Sequence, residues 1–185
     1  IYAPLANRLG VWQIKWELED LSFRFIEPDT YKRIAKMLDE RRVEREQFIR
    51  DSIERLKSEL AAVGIEAEIT GRAKHIYSIY NKMRKKRLDF SQVFDIRALR
   101  VLVPEIKDCY TVLGIVHQMW QPIAKEFDDY ITKPKGNNYQ SLHTAVLAGD
   151  GRALEVQIRT FDMHKHAELG VAAHWRYKEG ARQGG

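Results

Sequence analysis

Residues 126–160 read EFDDYITKPKGNNYQSLHTAVLAGDGRALEVQIRT, and this stretch predicts a β-hairpin that carries most of the functional information. Apolar and polar residues alternate strictly along its second arm, which is the pattern of a strand with one packed face. The apolar members of that arm are Leu154, Val156 and Ile158. Gly149-Asp150-Gly151 supplies the positive-φ tolerance that a short hairpin turn requires. A slip of one residue would exchange the two faces, but burial of the aliphatic set favours this register.

The polar residues of the hairpin are of the kinds that a nucleotide site requires. Those on the second arm are Glu155, Gln157 and Arg159. The first arm adds Tyr139, Ser141 and His143 at the same two-residue spacing, preceded by Lys133, Lys135 and Asn137. Together they offer a ring that stacks on a base, cations that bind phosphate and a carboxylate that binds metal. The alternative is a solvated polar face with no ligand.

Composition limits the classes of partner. The chain has 185 residues, 44% of them hydrophobic, which suffices for one core and an appended helical segment. Its net charge of +5 suits polyanionic small molecules or RNA and does not choose between them. The single cysteine, Cys109, excludes an internal disulfide and is expected in the core. Because no apolar run approaches about 18 residues and no signal peptide opens the chain, we expect a soluble, cytoplasmic protein with no membrane partner. Because the chain begins with Ile1 and ends in Ala-Arg-Gln-Gly-Gly, we expect a fragment of a longer protein.

A helical segment is predicted before the domain that contains the hairpin. Residues 2–26 hold two short helical patterns, whose candidate buried residues are Trp12, Trp16, Leu18, Leu21 and Phe25. A long helix is predicted from Asp29 to about Val63, with Gly64 as its C-cap residue. Its apolar stripe consists of Ile49, Ile53, Leu56, Leu60 and Val63. The middle of this helix, DERRVEREQ, is almost wholly charged and is expected to cross solvent between two packed bodies.

From about residue 65 onward, predicted strands and helices alternate. The predicted order is a strand in IEAEITG, a helix over 73–86, a strand over 94–103, a helix over 106–120, the hairpin, and a helix over 161–177. Pro104 and Pro122 end the second strand and the helix that follows it. This alternation indicates an α/β or α+β domain with a mixed sheet flanked by helices.

Two carboxylates on separate predicted strands are candidate metal ligands. Asp95 lies among apolar residues in FDIRALR, where a charge is costly unless a cation meets it. Together with Glu155 it would supply two oxygen ligands for Mg²⁺, which prefers one or two carboxylates plus substrate phosphates. The alternative is a salt bridge between Asp95 and Arg97.

The segment GRAKHIYSIYNK, residues 71–82, is a candidate phosphate site at a strand-to-helix junction. Lys74, Ser78 and Lys82 follow each other at steps of four, so they would share a helical face near the helix N-terminus, where backbone N–H groups favour phosphate. Arg72 precedes them. Neither a P-loop motif nor a GxGxxG motif occurs in the chain. The alternative is a solvated basic helix face.

Five blocks of the chain resemble the synthetase region of the RelA/SpoT homologues, the bacterial enzymes that make alarmones: GRAKHIYSIYNKM, FDIRALRVLV, NNYQSLHT, LEVQIRT and MHKHAELGVAAHWRYKEG. The resemblance covers the whole length of the chain. It implies an α+β fold related to the polymerase-β-type nucleotidyltransferases. It also implies transfer of the β,γ-pyrophosphate of ATP to the ribose 3′-hydroxyl of GDP or GTP, with Mg²⁺ and release of AMP, which yields the stringent-response alarmones ppGpp and pppGpp.

The resemblance implies roles for the catalytic and donor-binding residues. Asp95 would hold Mg²⁺, Glu155 would act as a metal ligand or as the general base, and Gln157 would support that carboxylate. Arg72 and Arg100 would sandwich the adenine of ATP. The ATP phosphates would be bound by Lys74, Ser78 and Lys82.

The acceptor site is implied in the same way. Tyr139 would stack on the guanine of GDP or GTP. The rest of the acceptor pocket would be lined by Lys135, Asn137, Gln140 and His143. Asn138 stands where many members have glycine, which is acceptable because Asn tolerates positive φ better than most residues.

Residues 126–129, Glu-Phe-Asp-Asp, are the acidic version of a segment that reads Arg-x-Lys-Asp in the bifunctional members. Acidity at this point resembles the synthetase-only, RelA-like branch of the family. Asp128 and Asp129 would then recruit a second Mg²⁺ or raise the Mg²⁺ requirement. A solvated acidic turn is an equal alternative.

The resemblance divides the chain into a remnant of a hydrolase-type helical domain over 1–27, a long connecting helix over 28–64, the synthetase domain over 65–180 and a tail over 181–185. No His-Asp dipeptide occurs, so alarmone hydrolysis is not expected. The ribosome and uncharged tRNA would bind only through regions absent from this chain. Two rivals remain open: a nucleotidyltransferase, which would release pyrophosphate instead of AMP, and a non-catalytic RNA-binding module, whose affinity would depend steeply on salt.

Overall fold

The computed structural model describes residues 2–3, 12–72, 74–89, 92–93 and 97–169. Three helices come first: α1 (Trp12–Ile26), α2 (Pro28–Glu40) and α3 (Arg42–Ala62). The later helices are α4 (Ile76–Lys86), α5 (Ile106–Met119) and α6 (Phe161–Leu169). The strands are β1 (Glu68–Gly71), β2 (Arg97–Val103), β3 (Gln121–Pro122), β4 (Asp128–Asp129), β5 (Leu142–Leu147) and β6 (Ala153–Thr160). None of the described helices is long and apolar enough to cross a membrane.

The strands form one mixed sheet. Its order is β1-β2-β6-β5-β3, and β4 also pairs with β5. β2 and β6 run parallel, whereas the other strand pairs are antiparallel. The expected α+β fold, a mixed sheet flanked by helices and preceded by a helical segment, is confirmed. The start predicted for β2, residues 94–96, lies outside the described part of the chain.

The predicted hairpin is formed by β5 and β6. Its turn includes Gly151 at φ +77°, and Leu154, Val156 and Ile158 are fully buried, which confirms the predicted register. The first arm, however, begins only at Leu142. Asn138 has φ +61°, a left-handed conformation that Asn tolerates better than most residues, in the loop before β5.

The main core lies between the sheet and helices α3 and α5. Its fully buried residues include Leu56 of α3, Leu99 and Val101 of β2, and Val112 and Val116 of α5. Full burial of one such side chain contributes about 1.5–3 kcal/mol. Cys109 belongs to the same cluster, as expected, and burial raises the pKa of its thiol to about 12. A thiol that stays protonated is a packing residue, not a nucleophile.

The single long helix predicted over 28–64 is in fact two helices. Arg41 lies between α2 and α3 with φ −105° and ψ 11°. The charged residues around it are exposed, so no packing holds the helix straight there. The break lets α2 pack with α1 and α4, while α3 packs on the sheet. The predicted C-cap is confirmed, because Gly64 has φ +75° and the Ile65 N–H donates back to the Leu60 carbonyl.

A second, smaller core joins α1, α2 and α4. It is built from Phe23, Ile34, Ile79 and Val93. The prediction of Leu21 and Phe25 as buried was wrong: they are 52% and 82% exposed, since α1 turns the face of Phe23 inward. Val63 is also exposed, because α3 ends before it at Ala62. Trp16 and Leu18 are half-buried, and the side chain of Trp12 lies outside the description.

Gly64→Ala is expected to lower the free energy of unfolding by about 1–2 kcal/mol. A Cβ at Gly64 would meet nothing within 4 Å, so only the left-handed backbone conformation opposes it. Gly114→Ala is the matched control: it also adds a Cβ in open space, but in the interior of α5, and it should stabilise by up to about 1 kcal/mol. Urea denaturation measures both changes. Equal stability of Gly64→Ala and the parent chain would contradict the assigned conformation.

Candidate active site

One face of the sheet carries polar side chains that the strand register places beside each other. Arg100 of β2 pairs with Gln157 of β6, and Gln157 pairs in turn with His143 of β5. Glu155 and Arg159 lie two residues either side of Gln157, and therefore on the same face. Arg72 follows β1, where its N–H donates to the Ala98 carbonyl at 2.9 Å. The site face is defined as Arg72, Arg100, His143, Glu155, Gln157 and Arg159.

Glu155 is held between two lysines. Its Oε1 accepts a hydrogen bond from Lys82 Nζ at 2.7 Å, and its Oε2 lies 3.6 Å from Lys74 Nζ. Burial alone raises the pKa of Glu155, but the charges of Lys74 and Lys82 outweigh this effect and lower the pKa to about 2. The carboxylate is therefore ionised at neutral pH.

The pKa of Lys74 is also shifted by this environment. Burial lowers its pKa to about 8; Glu155 opposes that shift, and Lys82 and Arg72 add to it. A cavity of about 160 Å³ beside the cluster is lined by Lys74, Ser78, Lys82 and Glu155, among others. The structure thus brings the three residues predicted to bind phosphate together with the predicted catalytic carboxylate.

Four buried polar atoms of the site face have no hydrogen-bond partner among the described residues. They are Arg72 Nε, Arg100 Nε, Arg159 Nε and Gln157 Oε1. An unsatisfied buried group costs about 1–3 kcal/mol, so four on one face call for an explanation. Three of them are donors on cationic groups. The face therefore favours a ligand that offers negative charge and hydrogen-bond acceptors.

Arg100 and Arg72, the predicted adenine-binding pair, both belong to this face. Burial lowers the pKa of Arg100 to about 10, with further repulsion from Arg159 and Arg72. Glu168 of α6 forms an ion pair with Arg100 at 4.0 Å. The guanidinium carbon of Arg72 lies 5.6 Å from the ring centroid of Trp16 on α1. A sandwich around adenine stays a prediction.

The loop before β5 brings Tyr139 beside His143 and Lys135. The Tyr139 hydroxyl is 2.8 Å from His143 Nε2 and accepts a hydrogen bond from Arg159 at 3.4 Å. Burial, with repulsion from Lys135, lowers the pKa of His143 to about 3, so its imidazole is neutral. Lys135 Nζ lies 5.3 Å from the Tyr139 ring centroid. Tyr139 is only 8% exposed, so stacking on a base requires a rearrangement around its ring.

Asn137 and Gln140 support this loop from within. Asn137 Oδ1 accepts a hydrogen bond from the Tyr139 N–H at 3.2 Å, and Gln140 Nε2 donates to the Ile131 carbonyl at 3.2 Å. These bonds fix the direction in which Tyr139 points. Contact of either amide with an acceptor nucleotide stays a prediction.

The two aspartates of the acidic segment differ. Asp129 accepts hydrogen bonds from the N–H groups of Ile131 and Thr132, and from the hydroxyls of Tyr110 and Thr132, each at 2.9 Å. Burial opposes these bonds, yet the pKa of Asp129 is lowered. Both of its oxygens hold the turn, which disfavours Asp129 as a metal ligand. Asp128 is exposed and pairs with His143 across the strands.

No group of three or more His, Cys, Asp or Glu among the described residues could hold a metal ion. Asp95, the second predicted Mg²⁺ ligand, lies outside the described residues. Its alternative partner, Arg97, forms ion pairs with Asp150 at 2.8 Å and with Glu44 at 3.8 Å. Its guanidinium also lies 3.6 Å from the Phe48 ring centroid.

Sequence reasoning placed Arg159 on the polar face but gave it no role. It is 2% exposed, and its second guanidinium nitrogen lies 2.6 Å from His164 Nδ1. Sequence reasoning also missed Asp20 of α1, which contacts the start of α4. The alternation of polar and apolar residues along β6 could have indicated Arg159. No sequence pattern indicates the contact between Asp20 and Tyr77, which are 57 positions apart.

Comparison with known proteins identifies the fold and the family. A family model described as "Region found in RelA / SpoT proteins" matches residues 71–182. The chain belongs to the RelA/SpoT family. It is 57% identical to a GTP pyrophosphokinase of Escherichia coli (strain K12) and 56% identical to one of Photobacterium angustum, over 185 residues in each case. Both matches cover 100% of this chain and 25% of the relative, so the chain spans about a quarter of the length of these RelA/SpoT relatives.

A solved structure shows the same fold. Small alarmone synthetase 1 of Bacillus subtilis, in complex with its product pppGpp, matches with a TM-score of 0.55. Identity is 22%, and the match covers 78% of this chain and 83% of that chain. The likeness bears out the nucleotidyltransferase-like α+β fold expected for a member of the RelA/SpoT family.

Proposed function

We propose that this chain is the catalytic region of a GTP pyrophosphokinase, which transfers the β,γ-pyrophosphate of ATP to the 3′-hydroxyl of GDP or GTP in a Mg²⁺-dependent reaction. The observation that carries the proposal is the ionised carboxylate of Glu155, held between Lys74 and Lys82 beside the site face. On that face three arginines keep buried Nε donors that have no partner among the described residues. The GTP pyrophosphokinase activity named for the relatives supports it.

Donor binding proceeds by an exchange of partners. In the ligand-free site, Lys74 and Lys82 neutralise Glu155. A triphosphate brings more negative charge than one carboxylate, so it takes both ammonium groups and leaves Glu155 without them. Arg72 and Arg100 complete the donor site as the pair that sandwiches the adenine of ATP. Ser78 lines the same cavity and adds a hydroxyl.

Glu155 fits a role as an oxygen ligand for Mg²⁺. It is ionised and its side chain is 26% exposed, and Mg²⁺ sites next to phosphates commonly use one or two protein carboxylates. Asp95 is the proposed second ligand, on the family resemblance alone. When bound, the ion would neutralise the charge that develops on the transferred phosphates. Gln157 is the proposed support of the Glu155 carboxylate, and its Oε1 is buried without a hydrogen-bond partner among the described residues.

The acceptor nucleotide lies on the β5 side of the same face. Tyr139 stacks on guanine, and Lys135 binds the acceptor phosphates. The neutral His143 acts as a hydrogen-bonding group and not as an acid. As long as its lysines remain, Glu155 is a weak base, because a carboxylate of pKa about 2 holds a proton poorly at neutral pH. Where Glu155 acts as the general base in place of a metal ligand, departure of both lysines to the triphosphate raises its pKa, so that it can receive the 3′-hydroxyl proton.

Product analysis tests this function. The chain is incubated with ATP, GDP and Mg²⁺, and the nucleotides are resolved by chromatography. We expect AMP and a guanosine tetraphosphate in equal amounts. Release of pyrophosphate without AMP would indicate nucleotidyl transfer, and RNA binding without any turnover would indicate a non-catalytic module.

The pH dependence of kcat/KM for ATP should reflect the protonation of the Lys74 side chain. Because the pKa of Lys74 is lowered to about 8, this side chain loses its positive charge as the pH rises through that value. We therefore expect kcat/KM for ATP to fall above about pH 8. In Lys74→Arg, whose guanidinium stays charged, this fall should move to higher pH. Lys85→Arg, an exposed control at the end of α4, should keep the pH profile of the parent chain. An unchanged pH profile in Lys74→Arg would show that a group other than Lys74 causes the fall.

A further inference from the structure

We propose that Asp20 and Trp16 are positioning residues for the donor triphosphate, although both lie on α1 and outside residues 71–182 that the family model matches. They hold the junction between β1 and α4, which carries Arg72 and Lys74. The inference rests on the proposed function, because it assigns that junction to ATP.

The N-terminus of α4 is capped from a distant helix. His75 is the N-cap residue, and its side chain makes no capping hydrogen bond. Instead, Asp20 Oδ1 accepts a hydrogen bond from the Tyr77 N–H at 2.8 Å. The other oxygen, Asp20 Oδ2, lies 3.6 Å from His75 Nδ1. A capping carboxylate stabilises the first turn of a helix and fixes its start.

Trp16 lies one turn before Asp20 and contacts both ends of the same junction. Its ring stacks on the His75 ring, with centroids 4.9 Å apart and an interplanar angle of 28°. The guanidinium carbon of Arg72 lies 5.6 Å from the Trp16 ring centroid. An aromatic face so placed holds a cation by charge–quadrupole attraction. The junction is thus fixed to the sheet at Arg72 N and to α1 at Arg72, His75 and Tyr77.

This arrangement orients the donor cations before ATP arrives. Lys74 lies inside the junction, and Lys82 lies on the helix whose start Asp20 fixes. Pre-orientation reduces the entropy that binding must remove, so losing it should weaken the nucleotide that these lysines bind. The proposed acceptor residue Tyr139 lies on the loop before β5, outside this junction. Loss of either contact should therefore weaken ATP binding more than GDP binding.

Asp20→Ala and Asp20→Asn separate this role from general damage. The carboxamide oxygen of Asn still accepts the Tyr77 N–H, whereas Ala cannot. We expect Asp20→Ala to weaken binding of the α,β-methylene analogue of ATP, measured by calorimetry, by about tenfold, equivalent to about 1.4 kcal/mol. The KM for ATP should rise in parallel and the KM for GDP should stay within about twofold. Asp20→Asn and the exposed control Asp51→Ala should both bind the analogue as the parent chain does.

Trp16→Ala and Trp16→Phe provide a second pair if Asp20→Ala folds poorly. The phenyl ring should preserve ATP-analogue binding, and alanine should weaken it. The inference is overturned if both alanine variants bind the analogue within about twofold of the parent chain, or if they weaken ATP and GDP equally. A parent chain that binds the analogue but makes no AMP would refute the proposed function. The affinities of the variants for the analogue, relative to the parent chain, would still decide the inference. A parent chain that does not bind the analogue would refute both.

Discussion

Glu155→Gln is expected to lower kcat for pyrophosphate transfer by at least about 100-fold while the fold is retained. Glutamine keeps the shape of the side chain but removes the negative charge that faces Lys74 and Lys82. It can neither bind Mg²⁺ as a carboxylate does nor receive the 3′-hydroxyl proton. Steady-state kinetics with saturating ATP and GDP measure the loss.

The controls for this variant address charge and folding separately. Glu59→Gln makes the same change at an exposed position of α3 and should leave kcat unchanged. Circular dichroism should show parent-like secondary structure for both variants. A Glu155→Gln enzyme with near-parental kcat would remove Glu155 from the chemistry and with it the proposed metal site.

Tyr139→Ala is expected to raise the KM for GDP by about 5- to 150-fold, since stacking of a base on an aromatic ring is worth about 1–3 kcal/mol. The KM for ATP should change much less, because the lysines proposed to bind the ATP phosphates contact Glu155 and not Tyr139. Competition by GDP analogues gives the same comparison at equilibrium.

Tyr139→Phe is the matched variant, because it keeps the ring and removes only the hydroxyl that contacts His143 and Arg159. If the ring itself binds guanine, Tyr139→Phe should remain within a few-fold of the parent KM for GDP. Equal losses in the two variants would instead assign the effect to the hydroxyl network. An unchanged KM for GDP in Tyr139→Ala would refute stacking altogether.

The hairpin and its neighbours could be predicted from sequence because their signals are local. Strict alternation in β6 and the glycines of the turn fix the register without reference to the rest of the chain. The buried set Leu154, Val156 and Ile158 then decides which face carries Glu155. The helix end at Gly64 could be predicted for the same reason, because a glycine in the left-handed conformation is a common and purely local way to end a helix.

The errors come from contacts that sequence spacing does not encode. The charged run around Arg41 is compatible with a straight helix, and only the separate packing of α2 and α3 breaks it. On α1, both the face of Phe23 and the face of Leu21 and Phe25 are apolar, and packing against Tyr80 and Tyr31 selects Phe23. The roles of Asp20 and Arg159 could not be predicted for the same reason, because their partners Tyr77 and Tyr139 are distant in the chain.

The most direct test of the account is the pKa of Lys74 measured by NMR with and without the α,β-methylene analogue of ATP, with Lys74→Arg to assign the signal. We expect a pKa of about 8 for Lys74 in the free chain. We expect a clear rise in this pKa when the analogue binds, because phosphate replaces Glu155 as the partner of the ammonium group. A Lys74 pKa that stays the same in the saturated complex would contradict the exchange of partners on which the proposed donor site depends.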